Sequence, residues 1–324
     1  MPEKIRWGIL GTGKIARVFA SALNDARRGE KYGVASRTSE TAESFASEHG
    51  FPESFGAYQA LLEDSNVDAI YVSTPHTVHR ECVLAAASAG KHILCEKPMG
   101  VTEAECMEMI SAAETNGVVL LEAFMYRCHP ITIRLQQLLQ EKIIGDIRTV
   151  RSSFTYGLAG AYNVRTDKQL RGGGLYDVGC YCINFSRMVA GEEPESIDYA
   201  LTLGAETGVD ENLGVIMKFP SGVIAQFDVG IRSAGTSFAE IVGSEGRIVL
   251  SNPWKPDAEE ASFDVIKGNQ TMAEVIANGG HIFTLEADHL AAVIAGEEEP
   301  LIPASNAIGN AAVLDTIWNR IHGG

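Results

Sequence analysis

Apolar and polar residues follow two different rhythms along this chain. Residues 5–10 are a short apolar run that ends in glycine, and the segment after it carries Ile15, Val18, Phe19, Ala22 and Leu23. The spacing i, i+3, i+4, i+7, i+8 marks the apolar stripe of an amphipathic helix. The pairing then recurs. Apolar runs at 32–36, 67–73, 92–95 and 118–121 read as strands, and residues 38–49, 77–89 and 102–113 read as helices. Gly50 and Pro52 stop the first of these helices, Gly90 ends the second, and Thr102 with Glu105 opens the third as a capping box. Strands alternating with helices of this length predict parallel βαβ units, hence a doubly wound sheet.

The rhythm changes after residue 122. Residues 131–141 read as a helix, 146–156 as a long alternating strand, and 175–190 as a helix closed by Gly191. From 196 to 250 strands dominate. Pro220-Ser221-Gly222 and Ser244-Glu245-Gly246 separate apolar runs as hairpin turns do, which predicts an antiparallel sheet. Two helices close the chain, near 285–295 and 306–321. The expected fold is α/β: a parallel doubly wound domain over 1–122 and an α+β domain over 123–324. The outer face of an open antiparallel sheet is exposed in a monomer, and such faces are commonly covered by pairing.

A length of 324 residues agrees with two domains, and 45% hydrophobic with 21% charged residues is the balance of a globular chain. No apolar run approaches the roughly 18 residues that span a bilayer. The chain opens directly into its first strand, so no secretory leader is expected and the protein reads as cytoplasmic. A net charge of −16 repels phosphate backbones and argues against a nucleic-acid partner. The cysteines at 82, 95, 106, 128, 180 and 182 read as reduced, buried thiols. None has zinc-type spacing, so no metal is expected.

The first strand runs into Gly11-Thr12-Gly13-Lys14-Ile15-Ala16, a G-x-G-x-x-A at the first βα turn. Gly11 permits the tight turn, Gly13 lets a pyrophosphate approach the backbone, and Ala16 lets helix and strand pack closely. The helix start offers free N–H groups and a positive dipole end. Gly11, Thr12, Gly13, Lys14 and Ile15 are therefore candidate cofactor contacts. The second strand ends Ser36-Arg37-Thr38, without the carboxylate that would hold a ribose 2′-hydroxyl. Arg37 can pair with a 2′-phosphate, flanked by two hydroxyls, which favours NADP over NAD; the alternative is a solvated arginine at a helix start.

Further along stand Thr74-Pro75-His76, then Cys95-Glu96-Lys97-Pro98-Met99, then Gly172-Gly173-Gly174-Leu175-Tyr176-Asp177-Val178-Gly179-Cys180-Tyr181. In this order, behind the G-x-G-x-x-A, they resemble the Gfo/Idh/MocA oxidoreductase family over nearly the whole chain. The family is named for glucose–fructose oxidoreductase, inositol dehydrogenase and a rhizopine-catabolism protein. The resemblance implies a Rossmann domain followed by an α/β domain with a large, mostly antiparallel open sheet, through which family members form homodimers or homotetramers. It implies that Thr74, Pro75, His76 and Glu96 line the cofactor and that Lys97 is the E-K-P lysine. The common family histidine is replaced here by Tyr181. That is similar to the tyrosine branch containing glucose–fructose oxidoreductase, dimeric dihydrodiol dehydrogenase and NADP-dependent xylose dehydrogenase, where a tyrosine transfers the proton. Arg127 and His129 fall in a segment similar to one at the family's cleft, as substrate contacts or as a packed crossover, and Arg165 is a further candidate there.

The chemistry can also be read from the residues. Asp177 and Tyr181 are four apart, the spacing of one helix face. Oxidising an alcohol needs a base for the hydroxyl proton while hydride leaves to a nicotinamide. A free tyrosine, with a pKa near 10, is a poor base, and an ammonium such as Lys97 beside it favours the phenolate. Asp177 orients the substrate or Lys97, or it caps the helix; Tyr181 is otherwise a core aromatic. The expected activity is NADP-dependent exchange of hydride with a secondary alcohol of a sugar, cyclic polyol or dihydrodiol, most narrowly a xylose- or glucose-type 1-dehydrogenase. A glycosidase that retains its nicotinamide, and a non-catalytic sugar or redox sensor, are the alternatives.

Overall fold

The structure, a computed structural model, describes residues 4–160 and 163–323. Residues 1–3, part of the segment read as lacking a leader, lie outside it. Strands β1 (Ile5–Leu10), β2 (Gly29–Ala35), β3 (Glu53–Phe55), β4 (Ala69–Val72), β5 (His92–Glu96) and β6 (Leu120–Ala123) form one sheet in the order β3-β2-β1-β4-β5-β6. Every pair is parallel. The expected doubly wound sheet is thus present. The third strand and the short helix after it, Tyr58–Leu62, lie in a stretch that carries no clear period.

The helices of this sheet follow their local signals. Helix α1 (Lys14–Ala22) buries Ala16, Phe19, Ala20 and Ala22 on one face. Phe19 stacks on Tyr71 of β4 at 3.8 Å and meets Trp7 of β1 edge-on at 5.1 Å, so the apolar stripe seats the helix over the strands. Burying one such ring contributes about 1.5–3 kcal/mol. Helix α2 (Ser39–His49) is capped by the Thr38 hydroxyl, which accepts from Thr41 N–H, and ends at left-handed Gly50. Helices α3 (Tyr58–Leu62) and α4 (His79–Ser88) follow, the latter after a single tight turn at His76–Val78. Helix α5 (Glu103–Thr115) starts at Thr102, whose hydroxyl accepts from Glu105 N–H at 3.2 Å. The Glu105 carboxylate accepts instead from Val101 N–H at 3.0 Å, one residue before the position a capping box would use.

The second sheet holds β7 (Ile147–Gly157), β8 (Ser196–Leu203), β9 (Asp210–Lys218), β10 (Ile224–Gly230), β11 (Arg232–Gly243), β12 (Arg247–Leu250), β13 (Glu260–Lys267) and β14 (Gln270–Ala277). Their order is β14-β13-β12-β11-β7-β10-β9-β8, and only β7 and β10 run parallel. Both expected hairpins, β9–β10 and β11–β12, form. Burial alternates along the strands: Leu213, Val215 and Met217 of β9 are buried, whereas Ile216 is 51% exposed. Helices α6 (Pro130–Gln140) and α7 (Cys180–Ala190) belong with this sheet. The helix expected over 175–190 begins as a π turn at Leu175–Gly179 and becomes α-helical only from Cys180.

Two compact units result, Met1–Cys128 with His281–Ala311, and His129–Gly280 with Ala312–Gly324. A division at 122 would have left residues 281–311 with the second unit. They join the first because helix α8 (Ile282–Ile294) docks on α1: the Thr284 hydroxyl donates to Ala22 O at 2.9 Å, and Asp288 accepts from Arg28 N–H at 2.9 Å. Helix α9 (Asn306–His322) closes the chain. Among the described residues no helix is long and apolar enough to cross a membrane, no acidic, histidine and cysteine side chains group as a metal site, and the six cysteines are free thiols.

Candidate active site

In the first unit, β1 is flanked by β2 on one side and β4 on the other, the place where strand order reverses and ligands bind in open α/β sheets. Gly11 sits there at φ +102°, and a Cβ on it would stand 3.1 Å from Ser73 Oγ and 3.3 Å from Ser73 O. Only glycine fits this turn without strain. The Ser73 hydroxyl donates to Leu10 O at 2.8 Å, tying the ends of β1 and β4 together. Gly13, by contrast, faces open space and begins α1 without any side-chain cap. Exposed Gly13 and Lys14 with half-buried Thr12 and Ile15 thus present an uncapped helix start to an anion.

At the end of β2, Ser36 is buried and within 3.5 Å of the Thr12 hydroxyl, while Arg37 and Thr38 are exposed. Thr38 also caps α2. The loop after β4 is held from below. Thr74 is buried, Pro75 exposed and His76 half-buried. Buried His79 sets its Nε2 2.9 Å from Thr74 O and its Nδ1 3.0 Å from Pro98 O. Burial pulls this imidazole down to about 4, against the carbonyls of Thr74, Pro98 and Met99. The ring sits between the loop after β4 and the one after β5. No motif or spacing pointed to it.

Lys97 is half-buried at the carboxyl end of β5 and precedes a cis peptide bond to Pro98. Its loop rests on two buried carboxylates. Glu96 accepts from the Tyr71 hydroxyl and from Lys97 N–H at 3.2 Å, and Glu122 accepts from Met99 N–H at 2.8 Å. Glu96, a candidate cofactor contact, therefore has one oxygen on the Tyr71 hydroxyl of β4 and the other on the Lys97 amide. Arg127 is 5% exposed, in the turn Met125–Cys128.

In the second unit, His129 is fully buried and caps α6, its Nδ1 accepting from Ile131 N–H at 3.2 Å. Asp177 and Arg165 come together with Tyr156, a residue that no sequence motif marks. The Tyr156 hydroxyl donates to Asp177 Oδ2, and Arg165 Nε donates to the same oxygen at 2.9 Å. Burial and the adjoining carboxylate push the Tyr156 hydroxyl well up, so it remains protonated and donating. Burial opposes the Arg165 charge, but Asp177 and Tyr156 outweigh it and raise its pKa. Asp177 is thus a salt-bridged carboxylate. Tyr181 is 4% exposed, edge-on to Phe154 at 5.5 Å and tilted against Trp254 at 6.1 Å. Because 177 lies in the π turn and 181 in the α-helix, a four-residue spacing no longer fixes a common face.

Residues 5–124 match the oxidoreductase family with an NAD-binding Rossmann fold, and residues 132–249 match the GFO/IDH/MocA C-terminal domain. The chain is 38% identical to trans-1,2-dihydrobenzene-1,2-diol dehydrogenase of Mus musculus over 255 residues, 78% of this chain and 76% of that one. It is 35% identical to the enzyme of the same name from Xenopus laevis over 98% of each chain. Among solved structures, it resembles a 3-ketoreductase of Actinomadura kijaniata in complex with NADP and TDP-benzene, with TM-score 0.88 and 27% identity over 97% of this chain and 96% of that one. It also resembles aldose–aldose oxidoreductase of Caulobacter crescentus complexed with glycerol, with TM-score 0.89 and 25% identity over 99% and 98%. The two matched domains, in the order of the two sheets described above, show that this chain belongs to the Gfo/Idh/MocA family of oxidoreductases.

Proposed function

We propose that the chain is an NADP-dependent dehydrogenase or reductase acting on a secondary alcohol of a sugar, cyclic polyol or dihydrodiol. The observation that carries this reading is the pairing, on one sheet edge, of the open, uncapped Gly13 turn with the buttressed Lys97 loop. Gly11, Thr12, Gly13, Lys14 and Ile15 hold the pyrophosphate through main-chain N–H groups. Ser36, Arg37 and Thr38 hold the 2′-phosphate, and Thr74, Pro75 and His76 line the nicotinamide end. The nicotinamide, when bound, supplies hydride exchange. Tyr181 takes the substrate hydroxyl proton in oxidation and returns it in reduction. Lys97 stabilises the phenolate and the developing alkoxide, and Asp177 with Arg165 orients the polyol. Arg127 and His129 are the further substrate contacts of this reading. The named relatives support the alcohol class, and the NADP-bound ketoreductase supports the cofactor. Oxidation at C1 of a xylose- or glucose-type sugar is the narrower proposal, and dihydrodiol oxidation is the alternative that the relatives' names favour.

Absorbance at 340 nm tests this with NADP⁺ or NAD⁺ against xylose, glucose, myo-inositol, an anhydrosugar and trans-dihydrobenzenediol. Reduction with at least one of them, faster with NADP⁺, is expected. Arg37→Ser should erode the NADP⁺ preference about 10–100-fold through loss of a charge-assisted phosphate contact, while leaving NAD⁺ kinetics nearly unchanged. No reduction, with hydrolysis of an aryl glycoside, would put the nicotinamide-retaining glycosidase in its place. No binding of NADPH at all would overturn the assignment.

The outer face of the second sheet is the proposed contact with another copy of the chain. Ile216 and Ile224 are 51% and 44% exposed there, beside the Arg151–Glu240 pair. A dimer or tetramer is expected by sedimentation, and Ile216→Arg should shift it to monomer. A monomeric wild-type protein at micromolar concentration contradicts this.

A further inference from the structure

We propose that Asp210 is the positioning residue of the segment carrying Asp177 and Tyr181, its carboxylate seating the Gly172–Gly174 turn from which that segment starts. Asp210 opens β9 and is fully buried. Its Oδ2 accepts from Leu175 N–H at 2.7 Å. Leu175 is the first residue of the π turn, and Gly174, in the capping position, gives no side-chain cap. A strand 35 residues further along therefore supplies the acceptor that the turn's own sequence lacks.

The triple glycine follows from this seat. Gly173 is at φ +115°, and a Cβ there would lie 2.0 Å from Asp210 Oδ1. A Cβ on Gly172 would lie 2.6 Å from Arg165 O, and one on Gly174 would touch Asp210 Oδ2 at 3.4 Å. The turn is thus closed onto Asp210 on one side and onto the Arg165 backbone on the other, with Gly173 N–H donating to Arg165 O at 2.8 Å. Arg165 in turn holds Asp177. Asp210, the glycine turn, Arg165 and Asp177 form one connected frame, and Tyr181 leaves it on the first turn of α7. Burial raises the Asp210 carboxyl to about 7, against the lowering pull of the main-chain amides of Leu175, Asp210 and Gly174. Residue 210 touches no reacting atom in this scheme; it acts through the placement of the tyrosine.

The inference rests on the assignment of Tyr181 as proton carrier, so Tyr181→Phe is measured beside Asp210→Ala and Asp210→Asn. The assay is NADP⁺ reduction with the panel alcohol oxidised fastest, joined by hydrogen exchange of the amides of residues 174–181, which needs no substrate. Asp210→Ala should lower kcat at least about tenfold with KM for NADP⁺ within about twofold, because the nucleotide is held by the other unit. Exchange over 174–181 should speed at least about tenfold while that of β1–β6 stays unchanged. Asp210→Asn keeps one oxygen for Leu175 N–H and should recover most of the lost kcat and protection. Should the alanine variant not fold, the wild-type and asparagine proteins still decide, since both must protect the Leu175 amide. Wild-type exchange at Leu175 as fast as in open loops, or an alanine variant with kcat and protection near wild type, overturns the inference. If Tyr181→Phe also retains turnover, the parent assignment has failed instead.

Discussion

Tyr181→Phe is expected to lower kcat by about 10²–10⁴-fold, the usual contribution of a positioned general acid or base, or ~3–5 kcal/mol of barrier. The substitution removes one oxygen and leaves the ring. Phe154 at 5.5 Å and Trp254 at 6.1 Å still pack against it, so the fold and NADPH binding should be retained. That separates the chemical reading of this residue from the core-aromatic one: a packing role predicts nearly unchanged turnover in phenylalanine, and a proton role predicts its loss. Single-turnover hydride transfer, followed by nicotinamide absorbance, is the appropriate measurement because it isolates chemistry from product release. Turnover within a few-fold of wild type removes Tyr181 from the mechanism.

Lys97→Met should be similarly severe, about 10²–10³-fold in kcat, through loss of a fixed charge where negative charge develops. Methionine retains the length and apolar stem of lysine. The loop around it is held by backbone contacts to Glu96 and Glu122 at 3.2 and 2.8 Å, which the substitution leaves in place. Melting temperature is therefore expected to change little while turnover collapses. If the tyrosine and the lysine act as one unit, the double variant should be scarcely worse than the poorer single one. Strict additivity of the two losses, or a Lys97→Met enzyme with normal kcat, contradicts their partnership.

The features legible in the amino-acid sequence are local in origin. A glycine at φ +102° that ends a strand and starts a helix leaves a G-x-G-x-x-A in the sequence, because the backbone conformation itself restricts residue type. Amphipathic stripes such as Phe19 and Ala22 on α1, and turn residues such as Pro220-Ser221-Gly222, are equally local. The Gly268-Asn269 hairpin joins β13 and β14, two strands outside the elements expected above: Lys267 pairs with Gln270 across it, and Gly268 is at φ +58°. Its turn residues are a visible signal, unlike β3, whose three residues are too few to show a period.

The tertiary structure alone decided how buried polar groups are satisfied. The Leu175 amide is met by Asp210, the Met99 amide by Glu122 and the Pro98 carbonyl by His79, across sequence separations of 35, 23 and 19 residues. Such partners obey no period, since a buried donor takes whichever acceptor the fold brings near. The same rule engaged Glu96 in the lysine loop and His129 in a helix cap, and it brought Tyr156 and Arg165 to Asp177. Sequence by itself therefore determined the sheet order's class, the nucleotide turn and the identity of Lys97, Asp177 and Tyr181 as the residues to consider. The frame that holds them was decided by packing, because hydrogen-bond satisfaction in a closed core is a property of the whole fold rather than of any segment.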